Sequence, residues 1–275
     1  MSAVYRDFSQ AELDAAYNNR AVARRLGELK AERDRRSLAL YASAEVDRDL
    51  AYGSASRQRL DFFHARSKGR PTVAFLHGGY WQLNEKEPNS FVAEGPLAHD
   101  INVALLEYTL APAASMTQIV AEVRAAIVWL VPRLETKFGA GAGLVVCGHS
   151  AGGHLAAMTA GVPGVTAALP ISGLFDLEPV RLSYLNQLLS MDADEASTNS
   201  PIRLRLPAGP MSVAFGGDEL PELVRQSQDF VSALKQAGRP VREIAVPGED
   251  HFSILDQFAS PDGTLAREIA RLAAL

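Results

Sequence analysis

The segment Leu144-Val145-Val146-Cys147 is apolar and runs straight into Gly148-His149-Ser150-Ala151-Gly152, after which an alanine-rich helical pattern begins. A serine between glycines at i−2 and i+2, on a sharp strand-to-helix turn, is the arrangement that lifts a hydroxyl clear of a sheet for nucleophilic attack. A Cβ at position 148 or 152 would collide with the neighbouring strand or helix, so glycine is required at both. Ser150 is therefore read as a nucleophile, and acyl transfer through a covalent intermediate is the chemistry it would do.

A serine nucleophile needs a base, an acid to orient the base, and donors for the oxyanion, in a fixed chain order. His251 is the only histidine after His154, and it follows the strand-like Val241-Arg242-Glu243-Ile244-Ala245-Val246, so it is the candidate base. The acid is expected one strand earlier. Met211-Ser212-Val213-Ala214-Phe215 reads as a buried strand and Gly216-Gly217-Asp218-Glu219 as a turn, which makes Asp218 the candidate. Two carboxylates compete with it. Asp250 is adjacent to the histidine, where it reaches back to the ring poorly, and Glu219 is read as one residue too far along, facing solvent.

The oxyanion donors are expected from the backbone of Ala151 and from a glycine loop after an earlier strand. Pro71-Thr72-Val73-Ala74-Phe75-Leu76 supplies the strand, and His77-Gly78-Gly79-Tyr80-Trp81 the loop. Gly78 and Gly79 would let bare N–H groups approach a developing alkoxide. Tyr80 and Trp81 divide between core packing and the wall of an acyl or aryl pocket. His77, His149 and His154 are read as braces, and His64 and His99 have no partner pattern.

With these motifs in order, the chain resembles the α/β-hydrolases of the esterase and hormone-sensitive-lipase-like group, and within them the arylformamidase (kynurenine formamidase) branch. The markers are His77-Gly78-Gly79-Tyr80-Trp81, Gly148 to Gly153, and Gly217 to Glu222 followed by Arg225-Gln226-Ser227. The run Ile171 to Pro179 and the early Tyr17-Asn18-Asn19-Arg20 add to them. The resemblance covers nearly the whole chain. It implies a mostly parallel sheet flanked by helices on both faces, with a small helical cap. It also implies a serine hydrolase acting on an aryl formamide such as N-formylkynurenine, with a short-chain carboxylesterase as the alternative. A ligand-binding protein on a hydrolase scaffold is the third reading; the presence of Ser150, Asp218 and His251 argues against it.

The elements that must position these residues are legible in outline. Strands are expected near 72–76, 101–107, 143–148, 166–171, 211–216 and 241–246, mostly as continuous apolar runs that suit a parallel sheet covered on both faces. An edge strand is expected within Arg57–His64. Ile119, Val123, Ile127, Leu130 and Leu134 fall on one helical face before the nucleophile strand. Ser9-Gln10-Ala11-Glu12 has the form of a capping box opening a charged helical region that runs to about Ala39, with Val22, Leu26 and Leu29 as its stripe and Glu32 and Arg36 on the wet side. Residues 1–275 are expected to form one hydrolase domain, with 1–50 and 173–208 as cap elements. Within the second of these, Leu182–Leu189 is expected to be one short amphipathic helix, and Asp176 and Glu178 to cap a helix. The charged head group of a formylkynurenine would need partners there, Arg20 and Arg24 being candidates.

Composition bounds the rest. The 275 residues are 47% apolar and 21% charged, the balance of an ordinary globular chain. A net charge of −5 and a pI near 5.7 argue against a nucleic-acid partner. The single cysteine, Cys147, sits in the nucleophile strand and cannot form an internal disulfide. No Cys/His cluster has zinc spacing, so neither metal nor organic cofactor is expected. The start Met1-Ser2-Ala3-Val4 lacks an apolar leader and no segment reaches membrane-spanning length, so a cytoplasmic location without membrane contact is expected. Oligomeric state is left open, a homodimer included.

Overall fold

A computed structural model describes residues 3–141 and 143–275; Met1, Ser2 and Ala142 lie outside the described residues. Eight strands form one sheet: β1 (Val46–Ala51), β2 (Arg59–Phe63), β3 (Thr72–Leu76), β4 (Asn102–Leu106), β5 (Leu144–His149), β6 (Val165–Ile171), β7 (Met211–Gly216) and β8 (Val241–Val246). Their order across the sheet is β1-β2-β4-β3-β5-β6-β7-β8, with β1 and β2 antiparallel and every pairing from β4 to β8 parallel.

Strands β3 and β5 are continuous buried runs because helices cover both faces of the sheet. Ala74, Leu76 and Val146 join a core shared with the helix Met116–Leu130, whose buried stripe includes Ile119, Val123, Ile127 and Leu130. Val73, Phe75, Val145 and Cys147 point the other way, into a core shared with Phe258, Leu265 and Ile269. The helix Met116–Leu130 opens on a capping box, Ser115 Oγ accepting from Gln118 N–H and Gln118 Oε1 from Ser115 N–H.

The sheet places the site through its topology. The strand order reverses at β3, which lies between β4 and β5, and in open α/β sheets the crevice at such a reversal, beyond the carboxyl ends of the strands, is where ligands bind. The registers Leu76 opposite Gly148 and His149 opposite Ile171 bring the loops after β3, β5 and β6 side by side.

Several elements differ from expectation. The strand at 59–63 is not the edge; β1 pairs outside it, in a stretch whose charges hid its extended character. The N-terminal helical region is broken into Gln10–Ala16, Asn19–Val22 and Leu26–Ser43, with Arg25 in a left-handed turn at φ 56°. Its first segment does open on the Ser9–Glu12 capping box. Leu29 is buried but Val22 is exposed. Arg36 does not face water: it pairs with Glu94, while Arg33 donates to the Phe252 carbonyl and to Asp256. The stretch expected as one helix at 182–189 breaks at Ser183, leaving Glu178–Leu182 and Asn186–Leu189. Asp176 does brace the start of the first, accepting from Glu178 N–H, and Glu178 pairs with Arg181. No helix among the described residues is long and apolar enough to cross a membrane.

Candidate active site

Ser150 ends β5 and begins the helix Ala151–Thr159 with φ 58° and ψ −119°, a conformation that L-residues adopt only where the surroundings impose it. The glycines impose it. A Cβ on Gly148 would stand 2.3 Å from the Gly152 carbonyl oxygen, and one on Gly152 would stand 1.9 Å from that of Leu76. Strand, turn and helix therefore close to backbone-on-backbone contact, and the serine is the residue left to make the bend. Its N–H donates to the Ile171 carbonyl of β6 at 2.9 Å, which pins the turn to the neighbouring strand.

The loop after β3 lies directly against this turn. A Cβ on Gly78 would be 3.0 Å from Ser150 Cβ and 2.8 Å from the His149 carbonyl oxygen, so only glycine allows the approach. Gly79 follows at φ 118°. The Gly78 carbonyl accepts from Asn84 Nδ2 at 3.0 Å and lies 2.9 Å from His77 Nδ1. The Ala151 N–H belongs to a first helical turn, where backbone donors lack intrahelical partners. Gly78 thus lies against the Ser150 turn, with Gly79 next to it in the chain and Ala151 following the serine.

His77 braces the loop from beneath. Its ring stacks on Tyr108 with centroids 4.4 Å apart, and Nε2 lies 3.0 Å from Glu107 Oε1. Burial pushes the Glu107 carboxyl up, but the contact with His77 and the nearby Arg57 more than offset it and hold the group below the usual range.

His251 is buried in the loop after β8, its ring centroid 4.6 Å from that of His149. His149 Nε2 lies 2.7 Å from the His251 carbonyl oxygen, which fixes the loop beside the serine's own strand. Burial, assisted by the neighbouring His251 ring, pushes the His149 imidazole well below the usual histidine range, so it stays neutral. His154 donates through Nε2 to the Asn199 carbonyl, and burial pushes it down to about 4. Both histidines are braces. His64 and His99 prove to have partners too, Asp47 and the Pro261 carbonyl.

The acid is the main correction. His251 Nδ1 lies 2.8 Å from Glu219 Oε2, and Glu219 is buried. Asp218 turns outward and pairs with Arg24 at 3.2 Å, its side chain 37% exposed. The cause is the turn itself. Asp218 N–H donates across to the Glu249 carbonyl, and Glu219 N–H closes back on the Gly216 carbonyl, so the next side chain is the one directed inward. Gly216 has no side chain to obstruct it, and its N–H donates to Glu219 Oε1 at 2.7 Å. The extra methylene of glutamate spans the remaining distance. Asp250, the other competitor, accepts from Phe252 and Ser253 N–H groups through Oδ1 and from Arg24 N–H through Oδ2. It caps its own loop and does not touch the ring nitrogen.

Trp81 was open between core and pocket wall. It is fully buried, edge-on to His154 at 5.0 Å, and forms part of the core, so it is not a pocket wall. Tyr80 is partly buried and ties the loop to the N-terminal segment: its hydroxyl donates to the Tyr17 carbonyl at 2.7 Å and accepts from Asn19 Nδ2 at 2.9 Å. Arg20 is exposed, and the Arg24 side chain is taken by Asp218. Among the described residues no group of three or more His, Cys, Asp or Glu side chains could hold a metal ion.

Sequence reasoning missed Glu219 and Ser172. The second follows β6 and donates to Glu219 Oε1. The stretch Gly216-Gly217-Asp218-Glu219 marks a turn carrying two acids, but does not record which of them faces in.

The BD-FAE family model matches residues 60–172, which contain both the glycine loop and the turn at Ser150. The chain is 32% identical to the kynurenine formamidase of Danio rerio, over 82% of this chain and 80% of that one. It is 33% identical to that of Salmo salar, over 82% and 81%. Among solved structures, a protein from Silicibacter sp. with a suggested thioesterase assignment superposes with a TM-score of 0.85. It is 27% identical and covers 93% of this chain and 98% of its own.

Proposed function

Because this chain belongs to the kynurenine formamidase family and has the α/β-hydrolase fold, a hydrolase of the formamidase and esterase type, we propose that it is a serine hydrolase that removes a formyl group from an aryl amide of the N-formylkynurenine kind. The observation that carries this reading is the buried Glu219–His251 pair, its imidazole 4.6 Å from that of His149, the residue before a serine in a forced backbone conformation.

The chemistry follows from the placement. His251 Nε2 takes the proton of Ser150 Oγ as the oxygen attacks the formyl carbon, and Glu219 holds the Nδ1 proton in place and stabilises the imidazolium. The carbonyl oxygen becomes an alkoxide held by the N–H groups of Gly78, Gly79 and Ala151, each lowering the barrier by about 3 kcal/mol in comparable sites. Collapse expels the aryl amine, which receives the proton from His251. Water then attacks the formyl ester on Ser150, giving up its proton to His251, and formate leaves as Ser150 regains its hydrogen. An aryl amine leaves more readily than an alkyl amine because its nitrogen lone pair is delocalised over the ring.

Residues 3–25 and 173–208 serve as the cap of a one-domain hydrolase, whereas the end of the expected N-terminal cap, Val46–Ala51, belongs to the sheet as β1. Three kinds of contact support this. The N-terminal segment reaches the glycine loop through Tyr17 and Asn19, and it reaches the histidine loop through Arg24 N–H on Asp250. It meets the insertion where Gln10 donates to the Leu182 carbonyl and Tyr184 N–H to Asp14. The insertion in turn accepts from the glycine loop, Gln82 donating to the Leu185 carbonyl.

A short-chain carboxylesterase is the second reading, because the same serine, histidine and acid would cleave an ester, whose alcohol leaves more easily than an amine. Parallel kinetics on N-formylkynurenine, unsubstituted formanilides and p-nitrophenyl esters of increasing acyl length separate the two. The formamidase reading expects kcat/KM for N-formylkynurenine to exceed that for p-nitrophenyl acetate. A preference for the ester by an order of magnitude, with turnover extending to octanoyl, would overturn it.

A further inference from the structure

The run Ile171-Ser172-Gly173 after β6 has no part in the mechanism above, yet it touches both ends of the catalytic constellation. Ser172 is fully buried, with φ 50°, in the left-handed region that a serine adopts only when held there. It is held from two sides. Its N–H donates to the Ala214 carbonyl of β7 at 2.7 Å, and the preceding carbonyl, that of Ile171, accepts from the N–H of Ser150. A Cβ on Gly153 would stand 2.7 Å from the Ile171 carbonyl oxygen and 3.0 Å from Gly173 Cα, so the helix behind the nucleophile packs directly on this turn.

The hydroxyl released into this position has one proton, and it goes to Glu219 Oε1 at 2.5 Å. The full donor set of the buried carboxylate is then Ser172 Oγ and Gly216 N–H on Oε1, and His251 Nδ1 on Oε2. Among the described residues no arginine or lysine pairs with Glu219. A carboxylate without a cation depends on neutral donors to remain ionised when buried. Two donors on one oxygen also fix the plane of the group, so that the other oxygen points at the imidazole.

We propose that Ser172 is a positioning residue for the acid, a fourth member acting through Glu219: its hydroxyl holds the carboxylate aligned on His251. The inference rests on the reading of Ser150, His251 and Glu219 given above. Loss of the hydroxyl leaves Glu219 with a single donor on Oε1. The negative charge is then less dispersed, so the imidazolium of His251 is favoured and the carboxylate itself takes a proton more readily. Both effects move the acidic limb of the activity profile to higher pH.

The test uses Ser172→Gly and Ser172→Ala in the full chain. Glycine removes the hydroxyl while relieving the positive-φ strain, so it keeps the protein folded even where alanine does not. The expected result is a fall in kcat of about 10- to 100-fold, the range for a hydrogen bond to a charged group, with KM unchanged and the acidic limb of kcat/KM displaced upward. Stoichiometric labelling of Ser150 by a sulfonyl fluoride persists, more slowly. A folded Ser172→Gly variant with wild-type kcat and an unmoved acidic limb overturns the proposal. Ser150→Ala and Glu219→Gln run in the same assay keep the two levels apart: full activity in either removes the underlying reading, whereas their inactivity beside an unaffected Ser172→Gly removes the fourth residue alone.

Discussion

The turn after β5 and the turn after β7 each deliver a side chain from the end of a buried strand, but they do it by different physics. The first is fixed by hard contact. Gly148 and Gly152 bring backbones so close that no side chain fits, and Ser150 is forced to φ 58°. The second is fixed by hydrogen bonds, Asp218 N–H to Glu249 and Glu219 N–H back to Gly216, which leave Glu219 facing in and Asp218 facing out. A steric turn presents one residue whatever the neighbouring side chains are. A hydrogen-bonded turn selects by one residue of register, and a single added methylene then decides which carboxylate arrives at the histidine.

The largest effect should come from the steric turn. Ser150→Ala is expected to leave the melting temperature close to wild type and to lower turnover roughly 10,000-fold or more, since no acyl-enzyme forms. Mass spectrometry of wild type treated with a sulfonyl fluoride should find one label, on Ser150. A label on another serine, or substantial activity in the variant, would break the assignment of the turn.

Next comes the hydrogen-bonded turn. Glu219→Gln keeps the shape of the side chain but presents the wrong group to Nδ1, and about 1,000- to 10,000-fold loss in kcat is expected, comparable to neutralising the orienting acid in other triads. Asp218→Asn should retain activity within about threefold, because its partner is an exposed arginine. The reverse ranking in steady-state assays would mean that the turn re-registers in solution.

The same contrast explains what could be read from the amino-acid sequence. Ser150, Gly78 and Gly79 were legible because glycine at a fixed spacing leaves a trace of the contact it permits. His251 was legible through its position after β8, as the last histidine of the chain. Glu219 was not, since nothing in Asp218-Glu219 records which N–H group closes the loop. The charged strand β1 and the broken N-terminal helices were hidden for a related reason. Their alternation is masked by charges that find partners elsewhere, as Lys86 does with Asp49 and Asp61 and Arg36 with Glu94. Trp81 was ambiguous because an aromatic after a glycine loop serves core and pocket equally well in sequence, and only burial separates them.

Trp81→Ala sharpens that last point. A fully buried indole replaced by alanine is expected to destabilise the protein by about 3–5 kcal/mol, read from denaturant unfolding, without extending turnover to longer acyl groups. Broadened acyl tolerance at unchanged stability would return the ring to the pocket wall.

A smaller effect separates the two turns by pH. His154, on the helix that follows Ser150, is held neutral by burial, down to about 4, and His149 is depressed as well. The unfolded chain takes up these protons near 6.5, so the stabilisation is complete above that pH and is lost as pH falls toward the folded values. For His154 the shift corresponds to about 3 kcal/mol at most. The melting temperature is expected to drop between pH 6.5 and 4.5, and His154→Gln should remove part of the slope. Identical slopes in wild type and variant would show that acid instability originates elsewhere.

The smallest effect is expected at Arg24, which touches the outer side of the acid turn. Its side chain is 74% exposed and meets Asp218 at 3.2 Å, whereas its backbone N–H on Asp250 survives any side-chain change. An exposed pair of this kind contributes less than about 1 kcal/mol and is screened by salt. Arg24→Ala should therefore move stability little, and formanilide turnover should stay within about twofold. N-formylkynurenine, which carries a carboxylate, makes the comparison informative. If Arg24 serves only the acid turn, both substrates respond alike and added salt reproduces the small change. If it leaves Asp218 to hold the substrate head group, KM for N-formylkynurenine rises while KM for formanilide does not. Asp218→Asn, by freeing the guanidinium, should then lower KM for the charged substrate. A selective KM effect in Arg24→Ala without the opposite effect in Asp218→Asn would place the head group on a different cation, with exposed Arg20 the first to replace.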